Sequence, residues 1–108
     1  MSEIIEIAIA GTGLMADIYA GILAQRADCR VRAVIGNTAD KTRAFAEKHG
    51  IAGYPDGAYE QAYAAHPGVT ATIIATPEWV REAPVRAAVA HRQHVLLEKP
   101  FTTDMAEI

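Results

Sequence analysis

The sequence has a single cysteine, Cys29, so an intrachain disulfide is excluded. A reducing, cytoplasmic setting is therefore expected. No histidine or second cysteine stands at metal-ligand spacing from Cys29, so no metal site is expected, and Cys29 reads as a small core or loop residue. No Lys or Arg precedes Arg26, which leaves the N-terminus without the basic region of a signal or transit peptide. No apolar run is long enough to span a bilayer, and no membrane association is expected. Charge of one sign is also lacking: the formal net charge is -3. The Lys and Arg residues are scattered, without a stripe and without interleaved aromatics, which disfavours nucleic acid as a partner. Low-complexity linkers and internal repeats are missing as well.

What remains is an ordinary globular balance, 51% apolar and 21% charged, in 108 residues, enough for one domain with one core. Strand and helix patterns alternate. Ile4 to Ala10 is rich in β-branched residues and predicts a strand. Leu14, Ile18 and Ile22 recur at helical spacing and predict a helix over Leu14 to Gln25. Val31 to Ile35 predicts a second strand. Thr38 is a good N-cap for a helix ending near His49, with Gly50 just beyond. A short strand at Ala52 to Tyr54, a turn at Pro55-Asp56-Gly57 and a short helix at Ala58 to Ala65 follow. Val69 to Ala75 is continuously apolar, as in a sheet covered on both faces. Glu82 to Arg92 predicts a helix that tolerates Pro84 only in its first turn. Val95 to Glu98 predicts a fifth strand, and Thr102 or Thr103 would cap a further helix. Strands alternating with helices imply parallel pairing through right-handed crossovers. The expected fold is α/β, a Rossmann-type doubly wound parallel sheet. Such sheets bind ligands at the carboxyl ends of their strands.

The stretch GTGLMA, residues 11 to 16, fits G-x-G-x-x-G/A and lies between a strand pattern and a helix pattern, the context that motif requires. Gly11 allows the tight turn. Gly13 lets a pyrophosphate approach the backbone, and Ala16 lets the helix lie close to the strand. The free N–H groups at the helix start, from Thr12 through Leu14 and Met15, then face the phosphates of a small-molecule dinucleotide. The competing reading is a turn that needs small residues for packing alone. After the second strand the sequence runs AVIGNTADK, with no acid at the place where a carboxylate would bind the ribose 2′-OH of NAD. Asn37, Thr38, Lys41 and Arg43 could instead supply donors and positive charge to a 2′-phosphate, so NADP is favoured over NAD. The alternative is that Lys41 and Arg43 simply form a solvated helix face.

Residues 71 to 100, ATIIATPEWVREAPVRAAVAHRQHVLLEKP, resemble the strand-TP-helix-strand-EKP segment of the Gfo/Idh/MocA oxidoreductases, which include glucose–fructose oxidoreductase and inositol dehydrogenase. AGTGLMA and AFAEKHGI, residues 44 to 51, are similar to the same family, and the likeness runs through essentially the whole chain. The resemblance implies an N-terminal Rossmann domain that would be followed by a C-terminal substrate domain, and an activity on sugars, cyclitols or related polyols with NAD or NADP. It assigns Gly11, Gly13 and Ala16 to the cofactor turn, and Thr76 and Pro77 to a loop passing the nicotinamide ribose. Glu98, Lys99 and Pro100 match the EKP motif. In the family that lysine assists proton transfer at the substrate hydroxyl, which makes Lys99 the expected catalytic residue. On spacing alone it would be a surface lysine. Asn37 and Lys41 after Gly36 are similar to the NADP-binding segment of glucose–fructose oxidoreductase.

Three departures stand out. Glu78 and Arg81 replace an Asn and a His common in relatives, and Trp79 is also unusual. Arg92 sits at a helix end where relatives commonly carry Gly, a place that favours positive φ. His49, His66, His91 and His94 match no catalytic position and read as helix-end or surface residues. The third departure is at the end of the chain. The sixth strand and the substrate domain would lie after Ile108, so the chain is expected to be inactive alone, to take a sugar-like substrate only with that domain, and to self-associate through the unpaired sheet edge. Two competing readings are a stand-alone dinucleotide-binding regulatory module and a methyltransferase-like domain for S-adenosylmethionine. The EKP triplet argues against the first, and the missing acid after the second strand argues against the second.

Overall fold

The computed structural model describes residues 4–76 and 82–97. Five strands and four helices follow one another as β1 (Ile5–Ala10), α1 (Leu14–Ala24), β2 (Cys29–Ile35), α2 (Ala39–His49), β3 (Ala52–Tyr54), α3 (Tyr59–Ala65), β4 (Val69–Ile74), α4 (Glu82–Ala90) and β5 (His94–Leu97). The strands form one sheet in the order β3-β2-β1-β4-β5, with every pair parallel. The chain runs outward from β1 to β3, then returns to place β4 on the other side of β1. The direction of winding therefore reverses between β1 and β4, and that reversal leaves a crevice at the carboxyl ends of the strands.

The strand periodicity sorts the core into two layers. Ile7, Ile9, Val34 and Ile73 point to one face with Ala16 and Ala20 of α1 and Phe45 of α2. Ala8, Ala10, Ile35 and Ile74 point to the other with Tyr59, Ala62 and Tyr63 of α3. Alternate residues thus serve opposite faces, as the strand repeat of two requires. Ile9, Ile35 and Ile74 are fully buried, and each contributes about 1.5–3 kcal/mol of hydrophobic stabilisation.

Several boundaries differ from the sequence reading. β2 begins at Cys29, where Val31 was expected, because Cys29 pairs with Ile5 and is buried. The apolar repeat of α1 faces outward: Leu14, Ile18 and Ile22 are 74%, 41% and 56% exposed. The core-facing residues are Ala16 and Ala20, flanked by Tyr19 and Leu23, because a helix laid close on a sheet needs small side chains at the contact. α4 ends at Ala90, and Arg92 takes φ 56°, so the turn that favours glycine forms here around an arginine. Its backbone closes by hydrogen bonds from Arg92 N to Val89 O and from Gln93 N to Ala88 O. β5 begins at His94, one residue before the expected Val95. The expected cap at Thr102 or Thr103 lies outside the described residues. The Thr38 cap holds as expected, with its hydroxyl accepting from Lys41 N, and Gly50 ends α2 in the left-handed region.

Candidate functional site

Three turns meet at the carboxyl edge of the sheet, following β1, β2 and β4. Gly11 adopts φ +115°, a conformation L side chains rarely take. Its N–H donates to Ile35 O at 2.9 Å, which ties the turn to the end of β2. A Cβ on Gly11 would stand 2.8 Å from Ala75 O and 3.1 Å from Thr76 N, so the turn also lies directly against the end of β4. There Ala75 N donates to Ala10 O, and Thr76 is buried. Sequence separations of more than sixty residues thus close into one crevice at the winding reversal.

Gly13 differs from Gly11. It is the N-cap of α1 with φ -82° and ψ -167°, and no side chain caps the helix. A Cβ there would meet nothing within 4 Å. The first intrahelical bond, Asp17 N to Gly13 O, leaves the earlier N–H groups of α1 without helical partners. Leu14 and Met15 expose their side chains, so what these residues offer at the helix start is backbone N–H. An uncapped helix start beside open space, carrying a partial positive charge, suits an anion. Asp17 in the first turn would oppose that anion if its charge were uncompensated. Its two carboxylate oxygens instead accept from Lys48 Nζ at 2.9 Å and His49 Nε2 at 2.7 Å. The hydrogen bond from Lys48, then that from His49, holds the Asp17 carboxyl below the usual carboxylate range.

The turn after β2 is fixed on both sides. Gly36 N donates to Tyr54 O, and Gly57 N donates to Gly36 O. Thr42, buried on α2, donates its hydroxyl to Thr38 O at 2.6 Å. Asn37, Thr38 and Lys41 are exposed around this turn. Lys41 makes no ion pair among the described residues, whereas Arg43 pairs with Asp40 at 3.5 Å. No carboxylate stands at residues 36 to 38. The structure therefore gathers Gly11, Thr12, Gly13, Leu14, Met15, Asn37, Thr38 and Thr76 at one edge of the sheet, with Lys41 on the first turn of α2 beside them. Pro77, Glu98 and Lys99 lie outside the described residues.

Thr42 and its contact with Thr38 were missed in the sequence reading. The signal available was the i, i+4 spacing of two threonines, which lets a hydroxyl reach the preceding turn's carbonyl. His49, His66 and His91 fall at helix ends, as expected, and His94 is exposed at the start of β5. His49 closes α2 and His66 follows α3, where it meets Tyr54 OH at 2.9 Å; His91, just after α4, meets Glu60. Cys29 is buried in the core. It borders an open groove of about 760 Å³ at the opposite, amino edge of the sheet, lined also by Arg26, Arg32, His49 and His66. No predicted site residue faces that groove. Among the described residues no group of three His, Cys, Asp or Glu could hold a metal ion, and no helix is long and apolar enough to cross a membrane.

Comparison with known proteins agrees with this geometry. The chain superimposes on a biliverdin reductase from Synechocystis sp. PCC 6803, solved in complex with biliverdin and NADP+, with a TM-score of 0.76 and 27% identity. That match covers 94% of this chain and 31% of the reductase chain. An NAD-binding protein from Listeria innocua is similar at 29% identity and a TM-score of 0.76, over 93% of this chain and 28% of that one. A scyllo-inositol dehydrogenase from Lactobacillus casei, solved with bound NAD(H) and scyllo-inositol, shares the fold. Its TM-score is 0.77 at 20% identity, over 96% of this chain and 30% of that one. The chain thus spans about three tenths of the length of these structures. No curated protein matches the sequence. The profile of the GFO_IDH_MocA family, described as an oxidoreductase family with an NAD-binding Rossmann fold, matches residues 5–108, and the chain belongs to that family.

Proposed function

We propose that residues 1–108 are the dinucleotide-binding domain of an NAD(P)-dependent oxidoreductase that acts on a sugar, cyclitol or related polyol. The observation that carries this reading is the pairing of two glycines with different jobs. Gly11 is used up by the protein's own packing, whereas Gly13 leaves the uncapped start of α1 open to an anion. In this reading the pyrophosphate sits against the N–H groups of residues 13 to 15, and Thr76 borders the nicotinamide end. Asn37, Thr38 and Lys41 surround the adenosine ribose. The absence of a carboxylate at residues 36 to 38, and a Lys41 that makes no ion pair among the described residues, favour a 2′-phosphate, hence NADP. The dinucleotide would supply the hydride acceptor or donor. Lys99, by its match to the EKP motif, would share the proton of the substrate hydroxyl, and the substrate itself would need a further domain.

The test is calorimetric titration of the chain with NADPH, NADH and S-adenosylmethionine. Saturable binding of NADPH, weaker binding of NADH and none of S-adenosylmethionine is expected. Binding of S-adenosylmethionine alone would replace this reading with a methyltransferase-like one.

A further inference from the structure

Position 36 is where the chain leaves β2, and in dinucleotide folds an acid near that point reads the ribose. Gly36 is buried, and the space a side chain would need is filled. A Cβ built there would collide with Thr42 Oγ1 and would lie 2.9 Å from Thr12 Cγ2 and 3.3 Å from Thr42 Cβ. Thr42 is only 1% exposed, and its hydroxyl is committed to Thr38 O. The backbone of Gly36 cannot move aside easily, because its N–H and its C=O are both bonded, to Tyr54 and Gly57. Thr12 belongs to the turn at α1, so the same contact packs the phosphate-side turn against the ribose-side turn.

We infer that Thr42 decides which residue reads the cofactor: by occupying the side-chain space of position 36, it moves the ribose-reading position to Asn37. Asn37 is exposed and is the first residue after β2 with room for a side chain. Its amide can donate to a phosphate or bond a hydroxyl, and it carries no charge to repel either. Thr42 is a positioning residue in this scheme and touches no ligand. The inference rests on the proposal that the chain binds an NAD(P) dinucleotide.

The test compares wild type with Asn37→Asp, Gly36→Asp, Thr42→Ala and the double variant Gly36→Asp/Thr42→Ala, each by thermal unfolding and by titration with NADPH and NADH. Asn37→Asp is expected to fold like wild type and to shift the NADPH-to-NADH affinity ratio toward NADH by about tenfold or more, the scale of one charged hydrogen bond. Gly36→Asp is expected to unfold at lower temperature and to bind neither cofactor. The double variant is expected to recover most of the stability lost in Gly36→Asp, the Thr12 Cγ2 contact being the close one that remains, and to gain NADH binding, which a purely structural role for Thr42 would not produce. Thr42→Ala alone should keep the wild-type preference. A Gly36→Asp protein that is as stable as wild type and takes up NADH would overturn the inference, as would an unmoved ratio in Asn37→Asp. A wild-type chain that binds neither cofactor would overturn the dinucleotide reading and this inference with it. Selective wild-type binding with an unmoved Asn37→Asp ratio would overturn the inference alone.

Discussion

Replacing Gly11 with alanine adds one methyl group at a crowded point of the carboxyl edge. Two costs follow from the geometry. At φ +115° a residue with a Cβ is strained by about 1–3 kcal/mol. The methyl would also stand 2.8 Å from Ala75 O and 2.9 Å from Ala75 C, both backbone atoms that cannot rotate away. Backbone shifts that relieve such overpacking cost about 1–3 kcal/mol. The sum, about 2–6 kcal/mol, is a large share of the roughly 5–15 kcal/mol that holds a domain folded. Gly11→Ala is therefore expected to lower the unfolding midpoint by about 10 °C or more. Gly13→Ala is the internal control. With φ -82° and open space around the new methyl, it should stay within about 1 kcal/mol of wild type. Parallel thermal unfolding followed by circular dichroism measures both. Equal midpoints for the two variants would refute the assignment of a structural role to Gly11 and a reserved surface to Gly13.

Lys41→Ala should weaken NADPH binding by about tenfold to a hundredfold, one phosphate–cation contact of about 1.5–3 kcal/mol, and leave NADH unchanged; titration with both cofactors checks it. Asp17→Asn should lower the unfolding midpoint at neutral pH, because the hydrogen bonds from Lys48 and His49 stabilise the charged carboxylate. The folded-state pKa is depressed, so this contribution is present above the unfolded value of about 3.9 and is lost as pH falls through the folded one. The gap between Asp17→Asn and wild type should therefore narrow as pH falls below the ordinary carboxylate range, and a gap that does not narrow in acid would contradict the assignment. Val95 and Leu96 on β5, one of the two edge strands among the described residues, are 37% and 51% exposed, and we expect the 108-residue chain to self-associate through it; a monomer at every concentration in sedimentation would refute this.

Most elements were legible because β1, β2, β4 and β5 carry β-branched or continuous apolar runs and α1 and α2 a distinct period or cap, whereas the short β3, Ala-Gly-Tyr, was marked only by the Pro55-Asp56-Gly57 turn after it. The glycine motif was legible because its local context, strand then helix, is a short-range property. Burial direction was harder to read. Leu14, Ile18 and Ile22 carry the strongest helical signal in α1, yet the helix turns its alanines inward. Hydrophobicity ranks leucine and isoleucine above alanine, whereas close helix-on-sheet packing ranks by size. The start of β2 was hidden for a related reason. Arg30 and Arg32 break the apolar pattern, although Arg32 joins β2 to its neighbour β1 by pairing with Glu6 at 2.8 Å. Arg92 was read as standing at a glycine place, and the positive φ there bears that out. Thr42 stayed out of view because its role depends on the space beside Gly36, which only the three-dimensional meeting of two turns creates.

The central claim, that the start of α1 is kept open for a pyrophosphate, is tested most directly by Gly13→Val. The measurement is NADPH affinity in the variant beside wild type, taken with unfolding curves of both. The account predicts a folded variant, since nothing lies within 4 Å of the new Cβ, with NADPH binding abolished because the side chain fills the place of the phosphates. A folded Gly13→Val protein that binds NADPH as tightly as wild type would contradict it.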